Sequence, residues 1–257
     1  MCTVSWAPTS DGFVLLMNRD ERRNRAPAES PRIVDVGEAQ AIAPRDGEAG
    51  GTWIGVNSHG LAIALANLYP SPPPPVPQSR ISRGLLVQDA LRFRDLDALK
   101  EGFGSADLTK YEPFQLMAFA PNPPGYSLVW DGRVRYGVTH TEPGLITTSS
   151  SRDQEGADRI RTALFARAAE SAGEVNLELL EELHRSREPE PGPYAVSMER
   201  SDAATLSLSS IRVSADNVSF SYTPGPPHRT AADPPLSLPR LVPHPAAADP
   251  TSHLVDP

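Results

Sequence analysis

The chain has 257 residues, with 32 Asp plus Glu against 24 Lys plus Arg, a net charge of −8 and 39% hydrophobic residues, the proportions of one globular domain with or without tails. The acidic balance, with no Lys/Arg cluster, excludes the dense positive surface that nucleic acids and anionic membranes require. The longest apolar runs, such as Phe13 to Met17, fall far short of the roughly 20 residues of a membrane span. Asp11, Arg19 and Asp20 interrupt the stretch where a secretory signal would carry its apolar region, so a cytoplasmic location is expected. A single cysteine permits no intramolecular disulfide, and no Cys/His spacing suits zinc.

In chain order the first elements are β. Thr3 to Ala7 and Phe13 to Asn18 are apolar-rich runs joined by Pro-Thr-Ser-Asp-Gly, which reads as a hairpin. Gly51 to Asn57 and Leu61 to Asn67, separated by Ser58, His59 and Gly60, read as a second. Six prolines between Pro70 and Pro77 predict a stiff polyproline segment, read as a rigid surface loop, with a PxxP adaptor ligand as the functional alternative. From Ser79 to Phe103, Leu85, Leu86, Leu91, Phe93, Leu96 and Leu99 recur at helical spacing and predict one or two helices.

Phe114 to Ala120 and Tyr126 to Val138 return to β, the latter bent at Asp131-Gly132. Gln154 to Ala172 and Val175 to Arg187 read as amphipathic helices, and strands are expected at Tyr194 to Glu199, Thr205 to Ile211 and Val218 to Tyr222. Ten prolines from Pro224 to Pro257 then predict a disordered or loosely docked tail, so that residues 1–227 form the domain and 228–257 the tail. Strands, then helices, then strands, linked mostly by hairpins, give an α+β class with antiparallel sheet.

The chemistry centres on Cys2. Removal of Met1 would leave a thiol beside a free α-amine, whose reference pKa of about 7.7–8.0 lies just below the ~8.5 of the thiol, so that one residue supplies nucleophile and base. Position alone favours an incidental small hydrophobe near a terminus. Asn18-Arg19-Asp20-Glu21 ends the strand that pairs with the one Cys2 begins; an Arg there would favour thiolate and a carboxylate would hold the amine. Adjacent residues of a strand face opposite sides, so either the strand ends at this quartet or only one of Arg19 and Asp20 faces the cysteine. Trp53 with Gly50-Gly51 reads either as a pocket floor or as a core tryptophan beside a glycine turn. The six histidines form no i,i+4 pair, and none sits in a Gly-x-Ser-x-Gly context.

The opening Met1-Cys2, the quartet Asn18 to Glu21, Gly50-Gly51-Thr52-Trp53-Ile54-Gly55 and Gly60-Leu61-Ala62-Ile63-Ala64-Leu65-Ala66-Asn67 together resemble the NRDE family, whose eukaryotic members are called transport and Golgi organisation protein 2. The resemblance is firm over residues 1 to 70; Asp202 to Ser207 and Phe220 to Pro227 are similar to bacterial members. It implies the four-layer αββα sandwich of N-terminal-nucleophile hydrolases, related to cysteine amidases such as penicillin V acylase and bile salt hydrolase, and hydrolysis of a linear, non-peptide amide without a cofactor. Cys2 would then be the acylated nucleophile, Arg19 and Asp20 its tuning pair, Asn67 the oxyanion donor, and Asn18, Trp53 and Ser150 substrate contacts. The amidase relatives space the Arg and the carboxylate three apart, whereas Arg19 and Asp20 are adjacent. They also present a second mid-chain Asn, for which Ser149 or Ser150 stands here, and a late Arg to which Arg200 corresponds. The family also implies an alternative, a haem-binding or haem-trafficking protein whose axial ligands would come from scattered His, Met and Cys2; a catalytically silent interaction protein is the third reading.

Overall fold

A computed structural model describes residues 2–77, 79–121 and 125–241. In chain order its elements are β1 (Cys2–Thr9), β2 (Gly12–Arg22), β3 (Glu29–Val36), β4 (Ala39–Arg45), β5 (Ile54–Asn57), β6 (Ala62–Asn67), α1 (Gly84–Ala90), α2 (Leu96–Gly104), β7 (Phe114–Phe119), β8 (Gly125–Trp130), β9 (Arg135–His140), β10 (Gly144–Thr148), α3 (Gln154–Ala172), α4 (Leu177–Arg185), β11 (Ala203–Val213), β12 (Asn217–Thr223) and β13 (Leu236–Pro239). One sheet runs β10-β1-β2-β11-β12-β13 and the other β3-β4-β5-β6-β7-β8-β9. All pairings are antiparallel.

Period-two alternation sorts each strand between two environments. Phe13, Leu15 and Met17 of β2 join Val4, Trp6, Ile54, Val56 and Phe119 in a core between the two sheets. Val14 and Leu16, one residue out of phase, pack with Leu179 and Leu180 of α4. On the outer face of the second sheet Leu61, Ile63, Leu116 and Leu128 meet Leu86, Val87, Leu99 and Phe103 of α1 and α2. The result is four layers: α1 and α2, sheet, sheet, α3 and α4.

The expected hairpins and helices stand at their predicted places, and the differences lie at Tyr194 to Glu199, in β3, β4 and β10, and beyond His228. Tyr194 to Glu199 is no strand beyond an isolated bridge from Glu199 to Ala204; the carbonyls of Tyr194, Ala195 and Val196, and of Pro193 just before them, accept hydrogen bonds from the Arg161 and Asn18 side chains. β3, β4 and β10 were not foreseen, because β3 mixes exposed and half-buried residues and β10 carries only five residues. The boundary at His228 falls later. Leu236–Pro239 pairs with β12 as the sheet edge, and Leu238 is buried, an edge being where a strand tolerates proline. Residues 242–257 of the expected tail lie outside the described residues.

Candidate active site

The register of β1 on β2 sets Cys2 directly opposite Arg19 and Thr3 opposite Asn18. Directly paired residues project to the same side of a sheet, so Cys2 and Arg19 share the side facing the second sheet. Asn18 and Asp20 fall on the side facing the helices. β2 continues through Arg22, so the adjacency of Arg19 and Asp20 resolves as one residue per face.

Cys2 is 7% exposed. Its backbone N donates to Ser149 Oγ at 2.9 Å, and its carbonyl accepts from Ser149 N at 2.9 Å. Burial pushes the Cys2 thiol up from its ordinary range, and the Asp20 charge adds to this; a hydrogen bond from the Asp20 backbone and the Arg19 charge act in the opposite direction.

Arg19 is held from three sides. Its Nη2 donates to Asp46 Oδ2 at 2.7 Å, Glu21 lies 3.8 Å away, and its guanidinium carbon sits 4.4 Å above the centre of the Trp53 ring. Arg25 clasps the other side of Asp46 through Nη2 and Nε, at 2.8 and 3.0 Å, and Ala49 N donates to Oδ1 at 2.8 Å. Burial opposes ionisation of Asp46. The Arg25 and Ala49 hydrogen bonds and the two arginine charges outweigh it, holding the carboxyl at about 2. Trp53 thus serves chiefly as the platform of Arg19, in a wall of the cavity.

Asp20 accepts from Thr205 Oγ1 at 2.5 Å and lies 3.9 Å from Arg161 Nη2. Burial raises its carboxyl, and Arg161 is the largest influence the other way. Arg161 is itself 1% exposed, bonded through Nη1 to Thr3 and Thr148 at 2.9 and 2.5 Å and through Nη2 to the Ala195 carbonyl at 2.9 Å. A buried charge is tolerable only with such a full set of partners.

Cys2, Arg19, Asp20, Trp53 and Asn67 all line one cavity of about 770 Å³, within the size range of small-molecule sites. Asn67 stands at the end of β6, opposite Phe114 of β7. The cavity is also lined by Pro70 and Pro73 to Pro77, so the segment expected as a plain surface loop forms one of its walls. Gly51 allows the start of α1 to close another side: a Cβ on Gly51 would lie 2.5 Å from the Gly84 carbonyl carbon.

Two expected substrate contacts lie elsewhere. Asn18 is fully buried and donates through Nδ2 to the carbonyls of His184 and Val196, both at 2.9 Å. Its Oδ1 can only accept, so His184 Nδ1, 3.0 Å away, carries the hydrogen, and His184 Nε2 accepts from the Ser5 hydroxyl at 2.8 Å. Asn18 is a staple between sheet and helix. Ser150 lines a different cleft, with Asp153 and Tyr194, and its Oγ accepts from Asp153 N at 3.3 Å; the serine at the Cys2 nitrogen is Ser149. Of the remaining residues, Arg200 lines the Cys2 cavity, whereas His59 and His140 do not. Asp46, Arg161 and Arg83 were missed. A charged residue at the buried position next to Ile160 breaks the apolar stripe of α3, and that break is the available signal for Arg161.

Two antiparallel sheets packed face to face between helical layers, with a cysteine at the head of an inner strand, define the N-terminal-nucleophile hydrolase fold. Solved structures with the same architecture include penicillin V acylase from Agrobacterium tumefaciens, with a TM-score of 0.58 at 11% identity over 87% of this chain and 83% of that one. Two variants of conjugated bile acid hydrolase from Clostridium perfringens are similar with TM-scores of 0.56, at 12% and 10% identity, over 91% of this chain and 92% of theirs. No curated protein sequence matches the chain. The chain belongs to the Transport and Golgi organisation 2 family, whose model matches residues 1–223. Among the described residues no helix is long and apolar enough to cross a membrane.

Proposed function

We propose that this protein is an N-terminal-cysteine amidohydrolase acting on a non-peptide amide. The observation that carries the reading is the convergence of Cys2, Arg19, Asp20 and Asn67 on one cavity, with Arg19 paired directly across from the cysteine. With Met1 removed, the Cys2 α-amine takes the thiol proton as Sγ attacks the amide carbonyl. Asn67 donates to the oxygen as negative charge develops, and the proton passes from the α-amine to the departing nitrogen as the C–N bond breaks. Water then attacks the thioester, giving its proton to the same amine, and the C–S bond breaks to release the acid and restore the thiol. Ser149, which accepts from the Cys2 nitrogen, orients the amine, and Asp20 stabilises its protonated form. The fold shared with penicillin V acylase and conjugated bile acid hydrolase supports this class of reaction.

The test is intact mass before and after a thiol-directed acylating probe, followed by an amide panel. The expected result is loss of Met1 and one adduct, absent from Cys2→Ala; a retained Met1 or an inert Cys2 sinks the mechanism. A haem titration on the same preparation addresses the carrier alternative, which requires a Soret band that His59 or His140 substitution removes.

A further inference from the structure

The proline run and an arginine pair give the cavity a recognisable chemical preference. Proline contributes no backbone donor and has a fixed φ, so Pro73, Pro74, Pro75 and Pro77 present ring carbons on a wall that loses little freedom when a ligand packs on it. The wall is braced from behind. Arg133 Nη2 donates to the Pro73 carbonyl at 3.0 Å, and Gly132, at a φ of +92°, leaves room for Pro74, whose Cγ would lie 2.4 Å from an added Cβ.

Arg83 and Arg80 line the same cavity, and both turn to one carboxylate, Glu112, at 3.6 and 3.2 Å. Two guanidinium groups thus share a single negative charge. Arg83 is fixed by donating to the Pro113 carbonyl at 2.9 Å, and it lines the same cavity as Cys2. A pair of guanidinium groups beside an apolar wall suits a ligand that is greasy at one end and carboxylate-bearing at the other.

We propose that the proline wall and the Arg83–Arg80 pair form the selecting subsite of the cavity, and that its ligand is an amphiphilic amide carrying a carboxylate, with the apolar portion on the prolines and the carboxylate on the arginines. This deepens the amidohydrolase reading and rests on it for the word amide. The subsite itself is tested by binding alone, so failure of either idea can be told from failure of the other.

Calorimetric titration of the full chain with octanoate, octanamide and acetate at neutral pH provides the test. Octanoate should bind about 10-fold more tightly than octanamide, and acetate far more weakly than either. Arg83→Gln should bring the octanoate-to-octanamide ratio to about 1. Arg80→Gln, at a side chain 59% exposed and so safe for folding, should reduce the ratio. Gly132→Ala should weaken both C8 ligands by about 5-fold and leave the ratio intact. Equal affinity for octanoate and octanamide, acetate binding as tightly as octanoate, or a ratio that survives both arginine substitutions would overturn the proposal. Intact discrimination in a protein whose Cys2 is inert would retain the subsite and discard the hydrolase.

Discussion

The two faces of β2 carry arrays that look alike on paper and differ in everything that matters for chemistry. Toward the helices, Ser5, His184 and Asn18 form a chain of hydrogen bonds at 2.8 and 3.0 Å, the order of a hydroxyl nucleophile, its base and an orienting group. Toward the second sheet, Cys2 faces Arg19 and opens on the cavity. Ser5 and His184 are 0% exposed, and burial, reinforced by the Arg161 charge, drives the His184 ring down to about 3. A histidine that stays neutral and dry is a poor proton acceptor and meets no substrate. Hydrogen-bond geometry alone nominates the buried array, whereas strand register and the cavity bring together the residues of the proposed site.

Exchanging the two nucleophile positions sharpens this contrast most. Cys2→Ala should lower amide hydrolysis by ~10⁴-fold or more, as loss of a covalent nucleophile does. Ser5→Ala should leave turnover within about 2-fold and cost roughly 1–2 kcal/mol of stability, since it strands a buried imidazole nitrogen; a collapse of activity in Ser5→Ala would reverse the assignment of the two faces. Asn67→Ala should reduce kcat by ~10²–10³-fold with a smaller change in KM, the signature of a donor that acts at the transition state.

Arg161→Met tests the helix-side face as structure. Removing the cation that bonds Thr3, Thr148 and the Ala195 carbonyl and neighbours Asp20 should destabilise the fold by roughly 3–5 kcal/mol, read by denaturant midpoint. His184 supplies a pH signature. Its folded pKa of about 3 lies below the unfolded value of 6.5, so its contribution is full above 6.5 and is lost as pH falls toward 3, at up to about 1.4 kcal/mol per pH unit. His184→Gln should flatten that slope in urea titrations from pH 7 to 4. The smallest effect belongs to Asp46: with its carboxyl depressed to about 2, it contributes about 1–2 kcal/mol that is present above the unfolded value near 4 and lost as pH drops through 2. Asp46→Asn should remove that acid limb; an unchanged limb would show that Arg19 holds its place without the carboxylate.

Much of the fold was legible because its signals are local. The two N-terminal hairpins, the two amphipathic helices and the Asp131-Gly132 bend each follow from periodicity and turn residues, and hairpin pairing brings the Asn18 to Glu21 quartet back beside Cys2, while only the observed register singles out Arg19. What escaped depends on distant partners. Asn18 belongs to the same quartet as Arg19, yet its role is decided by His184 and Val196, more than 160 positions away. Asp46 lies in an unremarkable Arg-Asp-Gly-Glu turn until Arg19 and Arg25 converge on it. The polyproline run reads as a stiff surface segment from its composition, but nothing local says that such a segment lines a cavity.

The pairing of β2 with β11 carries a consequence for synthesis. Asp20 meets Thr205 across 185 positions, Arg161 reaches Thr3 across 158, and Ser149 reaches the Cys2 nitrogen across 147. Contacts of such long range form late, after the intervening loops have closed. A growing chain emerges from the ribosome in N-to-C order, so the hairpin bearing Cys2 and Arg19 appears first and waits. The contacts of Cys2, Thr3 and Asp20 with Ser149, Arg161 and Thr205 are complete only after Thr205 has been made, which keeps the two ends of this sheet apart for most of translation.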